Sequence, residues 1–316
     1  MSKRVGIIGS GLCGRAWAIS FARGGYDVRL FDLSPDATAV GLKVIMSAVN
    51  DLEQHDLLHG ATVDEVLGRI RPVDSVPSAV DGAVYVQENV PDRLPAKLEI
   101  FAQLDELATP ETVLASSTSG IVPSAFTEEL KGRQRCLVVH PINPPYLVPA
   151  CDVVPAPWTD PAIVERTCVV LKAIGQTPLV MNRELPGFIM NRLQGALKHE
   201  AFRLVAGGYA TSEEVDRGIA EGIGLRWSFI GVFETAELNA PGGIRDYAKR
   251  YGPVYDQMAQ SLREPVPWAG PVLDQIEAER TAALPRDQIA ERQQWRDRRL
   301  MALARHKRDV DAKLGK

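Results

Sequence analysis

Cysteine is scarce in this sequence, long apolar runs are missing, and neither sign of charge dominates. No apolar segment approaches the length of a membrane span, and the strand pattern from Arg4 starts too early for a signal peptide. The cysteines form no C-x-x-C pair and show no metal-ligand spacing. We therefore expect no metal site and a protein of the reducing cytoplasm. The four cysteines are Cys13, Cys136, Cys151 and Cys168.

The charge balance argues against two classes of partner. The 316 residues carry 36 Lys and Arg against 40 Asp and Glu, a net charge of −4. This balance gives no electrostatic reason to expect binding to nucleic acid or to an anionic membrane. A hydrophobic fraction of 45% and a charged fraction of 24% are typical of a globular protein, and the length allows two domains.

The first 185 residues alternate short β-rich runs with helical patterns such as 96–108 and 161–173. Most of the β-rich runs are apolar throughout, as in strands that helices cover on both faces. This alternation predicts an α/β fold with a Rossmann-type, doubly wound and mostly parallel sheet. The candidate strands are residues 4–9, 27–32, 82–88, 112–117, 136–140, 151–155 and 177–181.

The character of the sequence changes near residue 185. From Asn191 onward the pattern is helical, with almost no strand signal. We therefore predict a nucleotide-binding domain over residues 1–185 and an all-helical domain over residues 186–316. The last segment of the chain is typical of an amphipathic helix, and its apolar face carries Leu300, Leu303 and Val310.

A glycine motif follows the first candidate strand. Gly9, Gly11 and Gly14 form G-x-G-x-x-G at the point where an apolar strand gives way to a helix. In that context the first glycine permits a tight turn, the second admits a pyrophosphate close to the backbone, and the third lets helix and strand pack closely. Asp32 ends the second strand and is placed to bind both adenosine ribose hydroxyls, so the sequence predicts NAD rather than NADP.

One histidine stands where ligands reach such a sheet. His140 ends an apolar strand and begins HPINPPYLVPACD, in which four prolines stiffen the chain as far as Asp152. An imidazole is suited to take the proton of an alcohol as hydride leaves. Asp152 is a candidate to orient the ring. The hydroxyls of SSTSG (116–120) end the preceding strand, and Asn191 is a candidate donor to the developing carbonyl oxygen.

Several segments resemble signature segments of the L-3-hydroxyacyl-CoA dehydrogenase family. They are GSGLCG (9–14), SSTSG (116–120), HPINPP (140–145) and PGFIMNRL (186–193). Within the family the resemblance is to the lambda-crystallin and L-gulonate 3-dehydrogenase branch, through HPINPPY, GLRWSFIGVFET (224–235), LNAPGG (238–243) and RQQWRDRRLM (292–301). The similarity runs nearly end to end. It implies a Rossmann-like domain, a helical C-terminal domain and a homodimer formed through that second domain.

The resemblance also implies roles for single residues. His140 matches the general base, Ser119 the serine that bonds the substrate hydroxyl, Asn143 an asparagine near the substrate, and Asn191 the asparagine that steadies the reacting oxygen. The family usually has glutamate where this chain has Asp152 and Asp92, so Asp152 is expected to reach the histidine by a backbone shift or a water. The expected cofactor residues are Gly9, Gly11, Leu12, Cys13, Gly14, Asp32, Asp92, Lys97 and Ser117.

The cations needed for a CoA ester are scarce. In residues 34–56, where CoA-specific members are rich in lysine, Lys43 is the one Lys or Arg. That favours a small free acid. Arg226 is either the partner of such a carboxylate or a structural residue stacked on Trp227.

Four functions are open at this point. The first choice is NAD-dependent oxidation of an L-3-hydroxy acid to the 3-keto acid, with L-gulonate as the substrate. The second is a short-chain L-3-hydroxyacyl-CoA dehydrogenase. The third is an L-carnitine dehydrogenase, for which Trp227, Phe229 and Phe233 near Glu234 offer aromatic rings to a trimethylammonium group. The fourth is a structural, crystallin-like nucleotide-binding protein, which has no need of the serine, histidine and asparagine together.

Overall fold

The computed structural model describes residues 3–262 and 266–315. Eight strands form one sheet in the order β3-β2-β1-β4-β5-β6-β7-β8. The first six strands are mutually parallel, and β7 and β8 run antiparallel to them. The strands are β1 (Arg4–Ile8), β2 (Asp27–Phe31), β3 (Ile70–Pro72), β4 (Tyr85–Glu88), β5 (Val113–Ser116), β6 (Cys136–Pro141), β7 (Ala150–Pro155) and β8 (Thr177–Val180).

Seven helices accompany the sheet, and local signals fix their starts. Ser34 caps the second helix through the backbone N–H of Ala37, and Asp160 caps the seventh through Ala162, each with proline in the first turn. These helices are α1 (Leu12–Arg23), α2 (Pro35–Gln54), α3 (Val63–Gly68), α4 (Val76–Val80), α5 (Leu94–Leu107), α6 (Ser124–Thr127) and α7 (Pro161–Ala173).

Both faces of the sheet are covered, which explains why the strands read as continuous apolar runs. Side chains alternate between two buried clusters, so Ile7 packs with Trp17 and Phe21 on one face while Ile8 packs with Phe101 on the other. The predicted α/β class, with a doubly wound and mostly parallel sheet, is confirmed. All seven candidate strands are present. The short edge strand β3, which contains a proline, was not predicted.

The remaining helices follow residue 189. They are α8 (Met190–Ala206), α9 (Ser212–Arg217), α10 (Gly224–Trp227), α11 (Val232–Leu238), α12 (Gly243–Ser261), α13 (Pro271–Ala283) and α14 (Ile289–Leu314). The predicted helical C-terminal region is therefore confirmed. A π-helical turn (Gly218–Ile223) joins α9 to α10, and 3₁₀ turns occupy Arg133–Arg135 and Arg286–Gln288. Within the described residues, no helix has both the length and the apolar character needed to cross a membrane.

The chain divides into two compact units. The first comprises Met1–Arg192 and Gln293–Lys316, and the second Leu193–Arg292. The end of α14 thus packs with the sheet domain, where Met301 is buried against its core. Leu300 faces this core as predicted, whereas Leu303 is exposed, so the predicted apolar face is wrong at that position. In the second unit only three of the described residues are buried: Val205, Ser212 and Ala240.

Candidate active site

The glycine turn between β1 and α1 is built as its spacing predicts. Gly9 has φ +92°, a conformation that favours glycine, and a Cβ there would stand 2.9 Å from the Asn89 carbonyl oxygen. A Cβ on Gly14 would stand 1.8 Å from the Gly9 oxygen, so helix and turn touch at that point. At Gly11 no described atom lies within 4 Å of the Cβ position. The backbone of Gly11, which caps α1, is therefore open to a ligand.

Asp32 follows β2 and is tied to that turn. Its Oδ2 accepts hydrogen bonds from the Ser10 backbone N–H at 2.7 Å and the Ser10 hydroxyl at 2.9 Å, and its Oδ1 accepts one from Ser34 N–H at 3.0 Å. Partial burial acts to raise the pKa of Asp32, but these hydrogen bonds outweigh it and lower the pKa. Asp32 is thus a fixed carboxylate at the edge of the turn.

A cavity of about 570 Å³ opens beside Gly9, Gly11 and Asp32. Its far wall comes from the segment after β4 and the first turns of α5. This is the carboxyl edge of the parallel strands, at the point where the strand order reverses between β1 and β4. Leu12, a predicted cofactor residue, begins α1 with its side chain exposed.

His140 lies near the end of β6. Asp152 lies on the adjacent antiparallel strand β7, directly opposite His140 in the strand register. The imidazole Nδ1 is 3.0 Å from the Asp152 Oδ2, a direct contact that needs neither a bridging water nor a longer side chain. Asp152 is fully buried, and its Oδ1 has no hydrogen-bond partner among the described residues. The Phe188 ring packs against the imidazole with centroids 5.5 Å apart. The ring of His140 is therefore held from two sides.

A cleft of about 210 Å³ gathers most of the predicted site residues. It borders the larger cavity, since Asn89 and Val90 line both. Its walls bring the His140 ring together with the hydroxyl-bearing loop after β5 and with Asn143 from the proline-rich loop. The predicted residues that line it are Cys13, Asp92, Lys97, Ser117, Ser119, His140 and Asn143.

Ser119 presents an exposed hydroxyl to this cleft and is firmly placed. Its Oγ donates to Asp92 Oδ2 at 2.6 Å, and its backbone N–H donates to the same oxygen at 2.9 Å. Asn191 Nδ2 donates to the Ser119 carbonyl at 2.7 Å, which brings the first turn of α8 to the loop. Thr118 Oγ1 donates to the other oxygen of Asp92. Partial burial acts to raise the pKa of Asp92, but the bonds from Ser119 and Thr118 lower it overall.

Lys97 and Ser117 make internal contacts that sequence spacing did not indicate. Lys97 is buried, and its ammonium pairs with Glu88 at 2.8 Å, not with Asp92. Burial raises the pKa of Glu88, against the opposing effect of Lys97. The Ser117 hydroxyl accepts from Trp17 at 3.0 Å and Gln87 at 2.7 Å, and donates to Asn89 at 2.8 Å. It therefore braces the cleft.

Glu88 and Asn89 are site residues that the sequence did not single out, and Thr118 was included only as one of the hydroxyls of SSTSG. Glu88 holds Lys97, and Asn89 joins the glycine turn to Ser117, with its amide donating to the Ile8 carbonyl at 3.2 Å. A signal was available, because QEN follows the apolar run of β4 at the carboxyl edge of the sheet.

Cys13 lines the cleft, whereas Arg226 is not among its lining residues. Burial raises the pKa of the Cys13 thiol to about 12, so its contribution is that of a small apolar side chain. Arg226 lies on α10 in the second compact unit, with its side chain exposed. No group of three or more His, Cys, Asp or Glu within the described residues is arranged to hold a metal.

The residues of the larger cavity fit NAD. The open backbone at Gly11 and the N-terminus of α1 suit a pyrophosphate, and the Asp32 carboxylate suits unphosphorylated ribose hydroxyls while repelling a 2′-phosphate. The adjoining cleft shares Asn89 and Val90 with this cavity, so His140 lies on the wall of a cleft that borders the cofactor cavity.

Comparison with known proteins agrees with this geometry. The chain is 39% identical to a lambda-crystallin homolog of Homo sapiens over 308 residues, 96% of each chain, and 38% identical to an L-carnitine dehydrogenase of Pseudomonas putida over 252 residues, 79% of this chain and 77% of the relative. Among solved structures, an NAD⁺-dependent 5-formyl-3-hydroxy-2-methylpyridine 4-carboxylic acid 5-dehydrogenase aligns with a TM-score of 0.83 at 27% identity, over 96% of this chain and 98% of that one.

Both halves of the chain match one family. Residues 4–185 match the NAD-binding domain of 3-hydroxyacyl-CoA dehydrogenase, and residues 187–270 match its C-terminal domain. NAD is thereby confirmed as the cofactor. The chain belongs to the 3-hydroxyacyl-CoA dehydrogenase family and is an NAD-dependent oxidoreductase.

Proposed function

We propose that this protein oxidises the 3-hydroxyl of a small L-3-hydroxy acid to the 3-keto acid, with L-gulonate as the first-choice substrate. The observation that carries the proposal is the His140 imidazole, held by buried Asp152 at 3.0 Å on the wall of a cleft that Ser119 and Asn143 also line. The cleft thus combines a candidate base in a fixed orientation with polar groups for a substrate. It lies at the carboxyl edge of the parallel strands.

The chemistry follows from the tautomer. With Nδ1–H donating to Asp152, the Nε2 of His140 carries a free lone pair and accepts the hydroxyl proton. The carboxylate then stabilises the imidazolium that forms. NAD, when bound, accepts the hydride. Asn191 is assigned to the reacting oxygen through the second N–H of its amide, because the first is donated to Ser119.

The assignment to a free acid rests on charge. Lys43 is the one basic side chain of α2, and it shares the helix with Asp36, Asp51 and Glu53. A 3′-phospho-ADP group needs cations that this helix does not offer. Arg226 is our candidate for binding the carboxylate, since guanidinium and carboxylate pair bidentately. The alternative to a free acid is a short-chain acyl-CoA ester, and the substrate panel below compares the two.

L-carnitine is a second candidate substrate. Two relatives named L-carnitine dehydrogenase, from Pseudomonas putida and Streptomyces griseus, are 38% and 40% identical over 252 residues. Phe229 and Phe233 are exposed, and Glu234 lies in the first turn of the same helix as Phe233, so an aromatic and acidic surface is available for a quaternary ammonium group.

We further propose that two copies associate through the second unit. With three buried residues among those described, Leu193–Arg292 holds too little core to be stable as an isolated layer of helices. Its exposed apolar side chains include Leu225, Phe229, Tyr255 and Leu262. Sedimentation velocity is expected to give a dimer; a monomer at micromolar concentration would contradict this proposal. We also propose a cytoplasmic location. The four cysteines are free thiols, as expected in a reducing compartment.

The deciding experiment is a substrate panel read by NADH absorbance. L-gulonate, L-carnitine, L-3-hydroxybutyrate and 3-hydroxybutyryl-CoA are offered to the purified protein with NAD. Faster turnover of L-gulonate than of the other acids supports the proposal. Faster turnover of L-carnitine would make L-carnitine the substrate in place of L-gulonate. Turnover of the CoA ester alone would overturn the assignment to a free acid.

His140→Gln tests the base directly. We expect kcat to fall roughly 10²- to 10⁴-fold because the proton acceptor is lost, while NAD affinity is retained. The matched control is His306→Gln on α14, with kcat close to the unmodified protein. A His140→Gln protein with kcat within a few-fold of the unmodified one would mean that the base lies elsewhere.

A further inference from the structure

The direction of one hydrogen bond in the cleft has a consequence for substrate choice. Asp92 accepts the Ser119 hydroxyl at 2.6 Å, the Ser119 backbone N–H at 2.9 Å and the Thr118 hydroxyl. These bonds lower the pKa of Asp92, so the carboxyl is ionised at neutral pH and has no proton to give. Ser119 is therefore the donor.

A serine hydroxyl has a single proton and two lone pairs. With its proton committed to Asp92, the Ser119 Oγ is left with lone pairs, and Ser119 is an exposed residue in the wall of the cleft. The hydroxyl thus meets a ligand as an acceptor. The loop cannot easily turn away, because the backbone N–H of Ser119 is held by Asp92 and its carbonyl by Asn191.

The hydroxyl that is oxidised does not supply a matching donor. Its one proton points to His140 Nε2 in the reactive complex, since that is the atom that removes it. An acceptor at Ser119 is therefore matched by a different O–H group of the substrate. Because Ser119 and His140 line the same cleft of about 210 Å³, we expect that group on a carbon close to the reacting one.

We propose that Asp92 is a specificity-determining residue, which fixes Ser119 as a hydrogen-bond acceptor and so selects substrates with a second hydroxyl next to the one oxidised. This rests on the proposed function and deepens it, because it names polyhydroxy acids over simple 3-hydroxy acids. Asp92 acts as a positioning residue, and Ser119 makes the contact.

The test uses substrates that differ by one hydroxyl. L-3-hydroxybutyrate is compared with 2,3-dihydroxybutyrate and 3,4-dihydroxybutyrate of the same configuration at carbon 3, at saturating NAD. The unmodified protein is expected to prefer one of the dihydroxy acids by at least about tenfold in kcat/KM, the scale of one hydrogen bond. Ser119→Ala is expected to reduce that ratio to near one.

Two further variants separate hydrogen-bond direction from loop stability. Asp92→Ala frees the Ser119 proton and is expected to lower the ratio as well, although the serine is still present. Thr118→Val removes a different hydroxyl from the same carboxylate and is expected to lower thermal stability without changing the ratio. A purely structural role for Asp92 would affect all three substrates equally and leave the ratio intact.

Four outcomes overturn the inference and are distinguishable. Turnover of all three acids without preference overturns it while the proposed function stands. If the Ser119→Ala protein still prefers a dihydroxy acid, the inference is likewise overturned and the proposed function stands. Loss of NAD affinity in Ser119→Ala without a change of ratio would show that the donor is a cofactor hydroxyl. Turnover of 3-hydroxybutyryl-CoA alone removes the inference together with the proposed function.

Discussion

The side chain of Asp152 reaches His140 because the two residues are register partners across β6 and β7. Residues opposite each other in an antiparallel pair have Cβ atoms about 4.5–5.5 Å apart, and a carboxylate with one methylene spans what remains. At this register the aspartate reaches the ring directly, with Oδ2 3.0 Å from Nδ1. A glutamate at this position has to find room for an extra methylene in a fully buried place.

Substitutions at Asp152 are therefore expected to separate charge from size. Asp152→Asn keeps the shape but favours the wrong tautomer of His140, and kcat is expected to fall by up to about 10⁴-fold with little change in stability. Asp152→Glu keeps the charge but overpacks the site, so the free energy of unfolding is expected to drop by about 1–3 kcal/mol, with a loss of kcat. Steady-state kinetics and chemical denaturation give the two quantities. An Asp152→Glu protein at least as active and as stable as the original would refute this account.

At the scale of the element, the turn between β1 and α1 assigns different tasks to two glycines. Gly11 caps α1, and Gly14 lies in the first turn of that helix. Gly14 is where helix and turn touch, whereas the Cβ position of Gly11 is open. The absence of a side chain therefore serves packing at Gly14 and serves the approach of the ligand at Gly11.

The two glycines allow a paired test. Gly14→Ala places a methyl group against the Gly9 carbonyl oxygen and is expected to lower the free energy of unfolding by about 3 kcal/mol. Gly11→Ala is expected to leave the free energy of unfolding nearly unchanged and to weaken NAD binding by at least about tenfold, because the methyl group occupies the approach of the pyrophosphate. Denaturation and NAD titration of both variants check this. Equal loss of NAD affinity without loss of stability in Gly14→Ala would contradict it.

The ion pair between β4 and α5 fixes a second element. Lys97 and Glu88 are both buried, and the Lys97 ammonium also donates to the Val90 carbonyl at 3.0 Å. Glu88→Gln leaves the ammonium without its counter-charge, and we expect the free energy of unfolding to fall by about 3–5 kcal/mol. The exposed pair of Arg4 and Asp81 is the control, since Asp81→Asn is expected to change it by less than about 1 kcal/mol. If both variants lost a similar amount of unfolding free energy, burial of the ion pair would not determine its contribution to stability.

The sequence predicted those parts of the site that depend on strand ends. The glycine turn, Asp32 and His140 each follow an apolar run, and the carboxyl edge of a parallel sheet brings such positions together. The sequence named Asp152 as the partner of His140 but left a backbone shift or a bridging water open, because apolar runs do not reveal that β7 is antiparallel to β6. The partner of Lys97 was missed, since a pair between a strand and a helix depends on how the two pack. The strand β3 has three residues, too few for a periodic signal.

On the scale of the whole molecule, the thiols are expected to be unreactive in the folded state. Burial raises the pKa of Cys13, Cys136 and Cys151 to about 12 and also raises that of Cys168. Since the thiolate is the reactive form, alkylation by iodoacetamide at neutral pH is expected to be slow for all four in the native protein and fast after denaturation. Mass spectrometry of the alkylated chain counts the modified thiols. Rapid modification of Cys13 in the native protein would contradict the burial of that thiol.

The register between β6 and β7 also bears on how this protein can diversify. His140 and Asp152 are held by ladder bonds on either side of the chain reversal, while Asn143 lies in the reversal itself, residues 142–149. Exposed positions of the loop, such as Asn143, can therefore take new side chains while the sheet keeps the distance between base and carboxylate, whereas Leu147 is buried in the core. At these exposed positions evolution, or an engineer, can change substrate preference without rebuilding the proton-transfer machinery.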